Sequence, residues 1–129
     1  MGKKTVSEIM TFPVVTISSE KSLIEAIRLL LRFHISGLPV VDEGGRLSGI
    51  LSELDILNFA LSGNAGMTSV SEVMSTDTVT FPPDTGIEQA INTFAEKRIR
   101  RVPVVSEGKV VGIVSRRDIL REILGMYNP

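Results

Sequence analysis

The sequence contains no cysteine and no tryptophan, and it has one histidine and one tyrosine among its 129 residues. Without cysteine, disulfides, thiolate metal ligands and a cysteine nucleophile are excluded. With His34 alone, neither a histidine metal cluster nor a Ser/His/Asp triad can form. We therefore assign no catalytic residue and no metal ligand, and we expect a protein that is not an enzyme. His34 is predicted to lie on the surface at a helix end.

Long apolar runs and an excess of one charge are also missing. No run approaches the roughly 18–20 residues that span a bilayer, and the first ten residues lack the apolar stretch of a signal peptide. The formal net charge is −1, so no global basic field attracts nucleic acid. These features predict a cytoplasmic protein that does not associate with membranes.

An internal repeat covers most of the chain. The segments VSEIM and ISGLPVV return 64 positions later as VSEVM and IRRVPVV. The second copy has one residue fewer in its turn, and the offset of 63 then carries GILSELD (49–55) onto GIVSRRD (112–118). We predict repeats over 6–63 and 70–125, joined by a Gly- and Ser-rich linker over 64–69.

Each repeat is predicted to form a short helical turn, a strand, a helix, two strands and a helix. Ser22 and Glu25 predict a capping box at the start of the first long helix, and Thr85 has the same role in the second repeat. Glu107 and Gly108 are expected at the centre of a hairpin turn. The fold class is therefore α+β. A unit of about 55 residues is marginally stable alone, so the repeats are expected to pack together by pseudo-twofold symmetry.

The repeated heptapeptide has two interpretations. In the first, Ser52 caps a helix, and Asp55 adds negative charge to its first turn. The cap explains the serine but is expected to place no requirement on an aspartate three residues later in both copies. In the second, the free N–H groups of the helix start and the serine hydroxyl bind a phosphate, and the aspartate accepts from the two hydroxyls of a ribose. The second interpretation indicates a nucleotide.

The doubled combination of an apolar-PVV strand and G-apolar-apolar-S-x-x-D resembles a tandem pair of cystathionine-β-synthase-type (CBS) domains, a Bateman module, over nearly the whole chain. The resemblance implies a β-α-β-β-α fold in each repeat and up to two clefts for adenosine-containing ligands such as AMP, ADP, ATP or S-adenosylmethionine. It implies that Asp55 and Asp118 hold ribose hydroxyls and that Ser52 and Ser115 meet the ribose or phosphate. It also implies that adenine lies against Val15, Ile35 and Pro39 in one cleft and against Val79, Ile99 and Pro103 in the other. Backbone groups around Ser36 and Gly37, or around Arg100 and Arg101, are then expected to bind the edge of the adenine. Thr11 and Ser75, each at the end of a helical turn, are weaker candidates. The apolar residues could equally fill a core.

The two predicted clefts differ in charge. Where the first repeat has Ser36, Gly37, Glu53 and Leu54, the second has Arg100, Arg101, Arg116 and Arg117. Arginines around a phosphate form charge-assisted bonds, whereas Glu53 repels an anion. We hypothesise that a phosphate-bearing nucleotide prefers the cleft of Ser115 and Asp118, and that the first cleft is empty or takes a less anionic adenosyl ligand. The alternative is a solvated helix face whose arginines pair with Glu96, Glu122 or a partner subunit.

Four functions remain open at this point, and one that the lack of a nucleophile, base or metal set disfavours is an enzyme whose Asp and Arg residues in a nucleotide cleft support slow hydrolysis. The favoured one is a stand-alone regulatory module that needs no cofactor, binds an adenosyl ligand, forms a homodimer and signals to an unknown partner protein by conformational change. A nucleic-acid-binding module that uses the arginine cluster is an alternative, which the balanced charge and the single tyrosine disfavour. A structural dimerisation module without a ligand is the other alternative.

Overall fold

The computed structural model describes residues 4–127, which divide into two units. The first unit contains residues 15–78, and the second contains residues 4–14 together with 79–127. The first unit has its strands and helices in the predicted order, and the second has the same order with an isolated parallel bridge at Phe81 in place of the first strand, so the α+β class and the doubled CBS-type arrangement of elements are confirmed. Within residues 4–127, no helix is long and apolar enough to cross a membrane.

The first unit is built on a three-stranded sheet. Strand β1 (Ile17–Ser18) runs parallel to β2 (Gly37–Val41), and β2 is antiparallel to β3 (Leu47–Ser52). Helix α1 (Leu23–Phe33) connects β1 to β2, and α2 (Glu53–Ala60) follows β3 without a loop. These elements enclose an aliphatic core of Ile17, Leu23, Ala26, Leu30, Leu38, Val40, Leu51 and Val70.

The second unit repeats this pattern with α3 (Ile87–Lys97), β4 (Arg101–Ser106), β5 (Lys109–Ser115) and α4 (Arg116–Tyr127). Strands β4 and β5 are antiparallel, and Phe81 pairs in parallel with Val104, where β1 stands in the first unit. The core consists of Val6, Phe81, Ala90, Phe94, Val102, Val104, Val114 and Ile119. The rings of Phe81 and Phe94 pack edge to face with centroids 6.1 Å apart.

The predicted turn at Glu107 and Gly108 is confirmed. Both residues have positive φ, 54° and 81°, and they connect the paired residues Ser106 and Lys109. Two consecutive residues in the left-handed region form a type I′ turn, whose twist matches that of the flanking strands.

Helix α1 starts at the predicted cap, but of the predicted capping box only the bond to the serine hydroxyl forms among the described residues; helix α3 starts at a different residue from the predicted cap. Ser22 caps α1, since its Oγ accepts from Glu25 N at 3.3 Å. The cap prediction for Thr85 is wrong: the N-cap of α3 is Gly86, which has no side chain to accept the bond. The Thr85 hydroxyl donates instead to the carbonyl of Pro82 at 2.8 Å. Helices α1 and α3 both end in the left-handed region, at the exposed residues His34 (φ 53°) and Arg98 (φ 54°).

Two short 3-10 turns each belong to the unit of the opposite repeat. The first, Val6–Glu8, belongs to the second unit, where Val6 N donates to Thr85 O at 2.9 Å. The second, Val70–Glu72, belongs to the first unit, where Val70 N donates to Lys21 O at 2.7 Å. Each compact unit therefore contains most of one repeat and the opening turn of the other. The boundaries 6–63 and 70–125 mark where the sequence repeats. That they also bound two domains stays a prediction.

Candidate functional site

The heptapeptides form the same hydrogen-bonded start of a helix in both units. In the first, Ser52 N donates to Asp55 Oδ2 at 2.9 Å, and Asp55 N donates to Ser52 Oγ at 3.2 Å. In the second, Ser115 N donates to Asp118 Oδ2 at 2.8 Å, and Asp118 N donates to Ser115 Oγ at 3.2 Å. This reciprocal pair of bonds is a capping box, with aspartate where glutamate is usual.

The capping box corrects one step of the sequence argument. The cap was expected to place no requirement on the aspartate, but Asp55 and Asp118 each satisfy the backbone N–H of the capping serine. The repeated Ser and Asp therefore have a structural function in both units. Because one carboxylate oxygen is used by the cap, Oδ1 is the oxygen of each aspartate that lies outside the capping bonds.

The loops before β2 and β4 lie beside these helix starts. Glu53 N, the first N–H of α2, donates to Ser36 O at 2.9 Å, and Gly37 pairs with Ser52 across the hairpin. In the second unit, Arg116 N donates to Arg100 O at 3.0 Å, and Arg101 pairs with Ser115. The structure thus brings the predicted backbone residues next to the predicted serine and aspartate in each unit.

Thr11 and Ser75 lie in the opposite repeat's unit. Thr11 N donates to Ile113 O at 2.9 Å, two residues before Ser115. Ser75 N donates to Ile50 O at 2.8 Å, two residues before Ser52. Thr11 therefore joins the candidate site of Ser115 and Asp118, and Ser75 joins that of Ser52 and Asp55.

The predicted apolar residues divide into two groups by burial. Val15 and Ile35 are partly buried against the core of the first unit, and Val79 and Ile99 against that of the second. Pro39 and Pro103, in contrast, are fully buried within β2 and β4. The two prolines are thus part of the packed interior in this structure, whereas the two valines and two isoleucines remain partly exposed.

The charge difference between the units is present on their surfaces. Arg100, Arg116 and Arg117 are exposed, and among residues 4–127 none of the three has an ion-pair partner. Glu53 is the exposed residue at the start of α2. Cations in the first turn of a helix oppose its macrodipole, by about 0.3–1 kcal/mol each. The first turn of α4 therefore carries two charges that its own stability disfavours.

Glu122, which the sequence offered as an ion-pair partner for these arginines, pairs with a lysine instead. Glu122 Oε1 lies 3.0 Å from Lys4 Nζ and is not engaged by an arginine. The arginine that forms an ion pair in α4 is Arg121, whose Nη1 lies 3.0 Å from Asp118 Oδ1. Arg121 was not among the predicted site residues, although its spacing of three residues from Asp118 on a helix is the signal that could have identified it.

The glycines that open the two heptapeptides allow a close approach of the 3-10 turns. A Cβ atom on Gly49 would lie 2.6 Å from the backbone oxygen of Ser75, and one on Gly112 would lie 2.8 Å from Met10 Cγ. Both distances are shorter than real Cβ contacts. Glycine is therefore a packing requirement at position 49, where the neighbouring atom is a backbone oxygen, whereas at position 112 the Met10 side chain could move aside.

Both repeats match one known protein family. A family model for the CBS domain matches residues 6–62 and 70–125. The CBS domain-containing protein YhcV of Bacillus subtilis (strain 168) is 38% identical over 116 residues, which cover 89% of this chain and 82% of that protein. Two further curated relatives are longer proteins, and the chain spans 13% and 23% of their lengths.

Solved structures with the same fold include adenosine-ligand complexes. The CBS domain pair of protein MJ0100, in complex with 5′-methylthioadenosine and S-adenosyl-L-methionine, is 31% identical with a TM-score of 0.84, over 95% of this chain and 98% of that one. The structure of CBSX2 in complex with AMP is 26% identical with a TM-score of 0.85, over 96% of this chain and 98% of that one.

Proposed function

The chain belongs to the CBS-domain family, as a tandem pair of these domains, and from this membership we propose that it is a regulatory module that binds adenosine-containing ligands. The observation that carries the proposal is the doubled site: each capping box leaves one carboxylate oxygen outside the capping bonds, beside a loop carbonyl and a helix start. A carboxylate oxygen accepts hydroxyl hydrogens, as a ribose requires. The complexes of similar pairs with AMP, S-adenosylmethionine and 5′-methylthioadenosine support this chemistry.

The second unit is the proposed site for a phosphate-bearing ligand such as AMP, ADP or ATP. The N–H groups at the start of α4 and the exposed guanidinium groups of Arg100, Arg116 and Arg117 offer donors to an anion. In the first unit, the carboxylate of Glu53 stands at the matching helix start and repels a phosphate. That unit is therefore proposed to be empty or to take a less anionic adenosyl ligand, such as S-adenosylmethionine.

Regulation requires that the ligand bind two conformations of the module with different affinity. The proposed output is a change in conformation that a partner protein detects. We place the module in the cytoplasm and propose that it acts by binding. Prolonged incubation with ATP, followed by chromatography, is expected to return ATP unchanged.

Native mass spectrometry of the purified chain, as isolated and after addition of AMP or S-adenosylmethionine, tests ligand binding. We expect adducts of the mass of an adenosyl ligand, with AMP bound more tightly than S-adenosylmethionine at one site per chain. If neither compound forms an adduct at about 1 mM, where a weak complex of about −4 kcal/mol is half-populated, the proposed function is refuted.

A homodimer is the second part of the proposal, and exposed leucines favour it. Leu54 and Leu57 on α2 and Leu61, which caps its C-terminal end, form a stripe and are 64%, 67% and 100% exposed. Leu120 and Leu124, with Tyr127, form a similar stripe on α4. Exposed apolar stripes of this kind mark interaction surfaces. Since both repeats carry leucines at equivalent positions, a second copy of the chain offers the matching surface.

Sedimentation velocity tests the dimer. The wild-type chain is expected to sediment as a dimer, and the double variant Leu120→Glu, Leu124→Glu as a monomer, because charges buried in an apolar interface are unpaired. The control is Leu31→Glu, which changes a leucine on α1 that is 71% exposed. A monomeric wild-type chain, or a double variant that remains dimeric, would contradict this part.

A further inference from the structure

Arg121 distinguishes the two candidate sites. Its Nη1 donates to Asp118 Oδ1 at 3.0 Å, one turn into α4. The equivalent position in the first repeat, 63 residues earlier, is Asn58, which is exposed on α2. The ion pair is therefore a property of the second unit alone among the residues described.

The ion pair uses the carboxylate oxygen that the capping box leaves over. In the second unit, Asp118 Oδ2 accepts from Ser115 N and Oδ1 accepts from Arg121, so each oxygen already has a partner. In the first unit, Asp55 Oδ2 accepts from Ser52 N, and no residue within 4–127 donates to Oδ1. A ribose hydroxyl thus meets an available acceptor at Asp55 but a guanidinium-bound acceptor at Asp118.

Displacing Arg121 from Asp118 is inexpensive for the protein itself. The Arg121 side chain is 69% exposed, and an exposed ion pair contributes little to stability. Once displaced, the guanidinium lies on the same helix face as Arg117, four residues earlier, and two like charges at that spacing repel. A ligand that also carries an anion removes this repulsion, whereas an uncharged ligand does not.

We propose that Arg121 is a selectivity residue of the second site. It occupies the ribose-binding oxygen of Asp118 until a ligand arrives, and on displacement it interacts with a phosphate on that ligand. The site then favours adenosine phosphates over uncharged adenosyl compounds. This inference rests on the proposed function and adds a cause of ligand discrimination within it.

Calorimetric titration with AMP and with adenosine tests the inference on chains that carry Asp55→Asn, which reduces binding at the first site. The measured quantity is the ratio of the adenosine dissociation constant to that of AMP. With Arg121→Asn added, which introduces the first repeat's residue, we expect the ratio to fall about five- to tenfold, partly because adenosine binds more tightly. The matched control is Arg28→Asn, which removes an exposed arginine of α1.

The outcomes separate the two proposals. A ratio that does not change in Arg121→Asn, or that falls equally in Arg28→Asn, overturns the function of Arg121 and leaves ligand binding intact. Failure of AMP and adenosine to bind even the chain without substitutions overturns the proposed function, and this inference with it. A reciprocal variant, Asn58→Arg on a chain carrying Asp118→Asn, is expected to raise the ratio at the first site.

Discussion

Replacing Asp118 with alanine is expected to lower the free energy of unfolding by about 2–3 kcal/mol. Asp118 Oδ2 accepts from Ser115 N at 2.8 Å, and hydrogen bonds to charged groups contribute about 1.5–3 kcal/mol. The exposed pair with Arg121 adds about 0–1 kcal/mol. The Asp118 side chain is only 10% exposed, so water replaces little of what alanine removes.

Replacing Asp118 with asparagine distinguishes the contribution of the capping hydrogen bond from that of the negative charge. Asp118→Asn keeps an oxygen for Ser115 N and is expected to lose about 1 kcal/mol or less. Urea unfolding followed by circular dichroism measures both variants, with an unchanged m-value as the condition for comparing them. Equal losses in the alanine and asparagine variants would refute the capping argument, as would an alanine variant as stable as the wild type.

Two further pairs of substitutions test the packing and the helix ends. Gly49→Ala is expected to destabilise the protein more than Gly112→Ala, by about 1 kcal/mol or more. The reason is that a Cβ at position 49 meets the fixed backbone oxygen of Ser75, whereas one at position 112 meets the flexible Met10 side chain. Thermal unfolding measures both variants, and the reverse order would contradict the packing account. His34→Gly and Arg98→Gly are each expected to stabilise by about 0.5–1 kcal/mol, since both residues end a helix with positive φ. Urea unfolding of these two variants should show a raised midpoint, and a lowered midpoint in both would show that their side chains matter more than their backbone conformation.

Local signals in the sequence predicted much of the fold. The bounds of strand β3, Leu47 and Ser52, can be read from the sequence because turn residues mark one end and a helix cap the other. Ser22 was identified as a cap by its spacing from Glu25. Thr85 was misassigned because it precedes Gly86, and a glycine cap leaves no side-chain signal in the sequence.

Long-range pairing could not be predicted in the same way. The assignment of Thr11 to the sheet of Ile113, and of Ser75 to that of Ile50, depends on backbone bonds between segments far apart in the chain. Periodicity within a repeat does not indicate which sheet its opening turn joins. The ion pair of Asp118 with Arg121 was within reach of the sequence, since the two residues lie three apart on one helix.

Calorimetric titration of AMP into the Asp55→Asn and Asp118→Asn variants shows whether an adenosine phosphate binds at Asp118 in preference to Asp55. Asparagine preserves the capping oxygen in each variant, so a loss of binding reports on the ligand and not on the helix. We predict that Asp118→Asn weakens AMP binding about tenfold or more, whereas Asp55→Asn changes it less than about threefold. Equal losses in the two variants, or AMP binding that neither substitution alters, would contradict this preference.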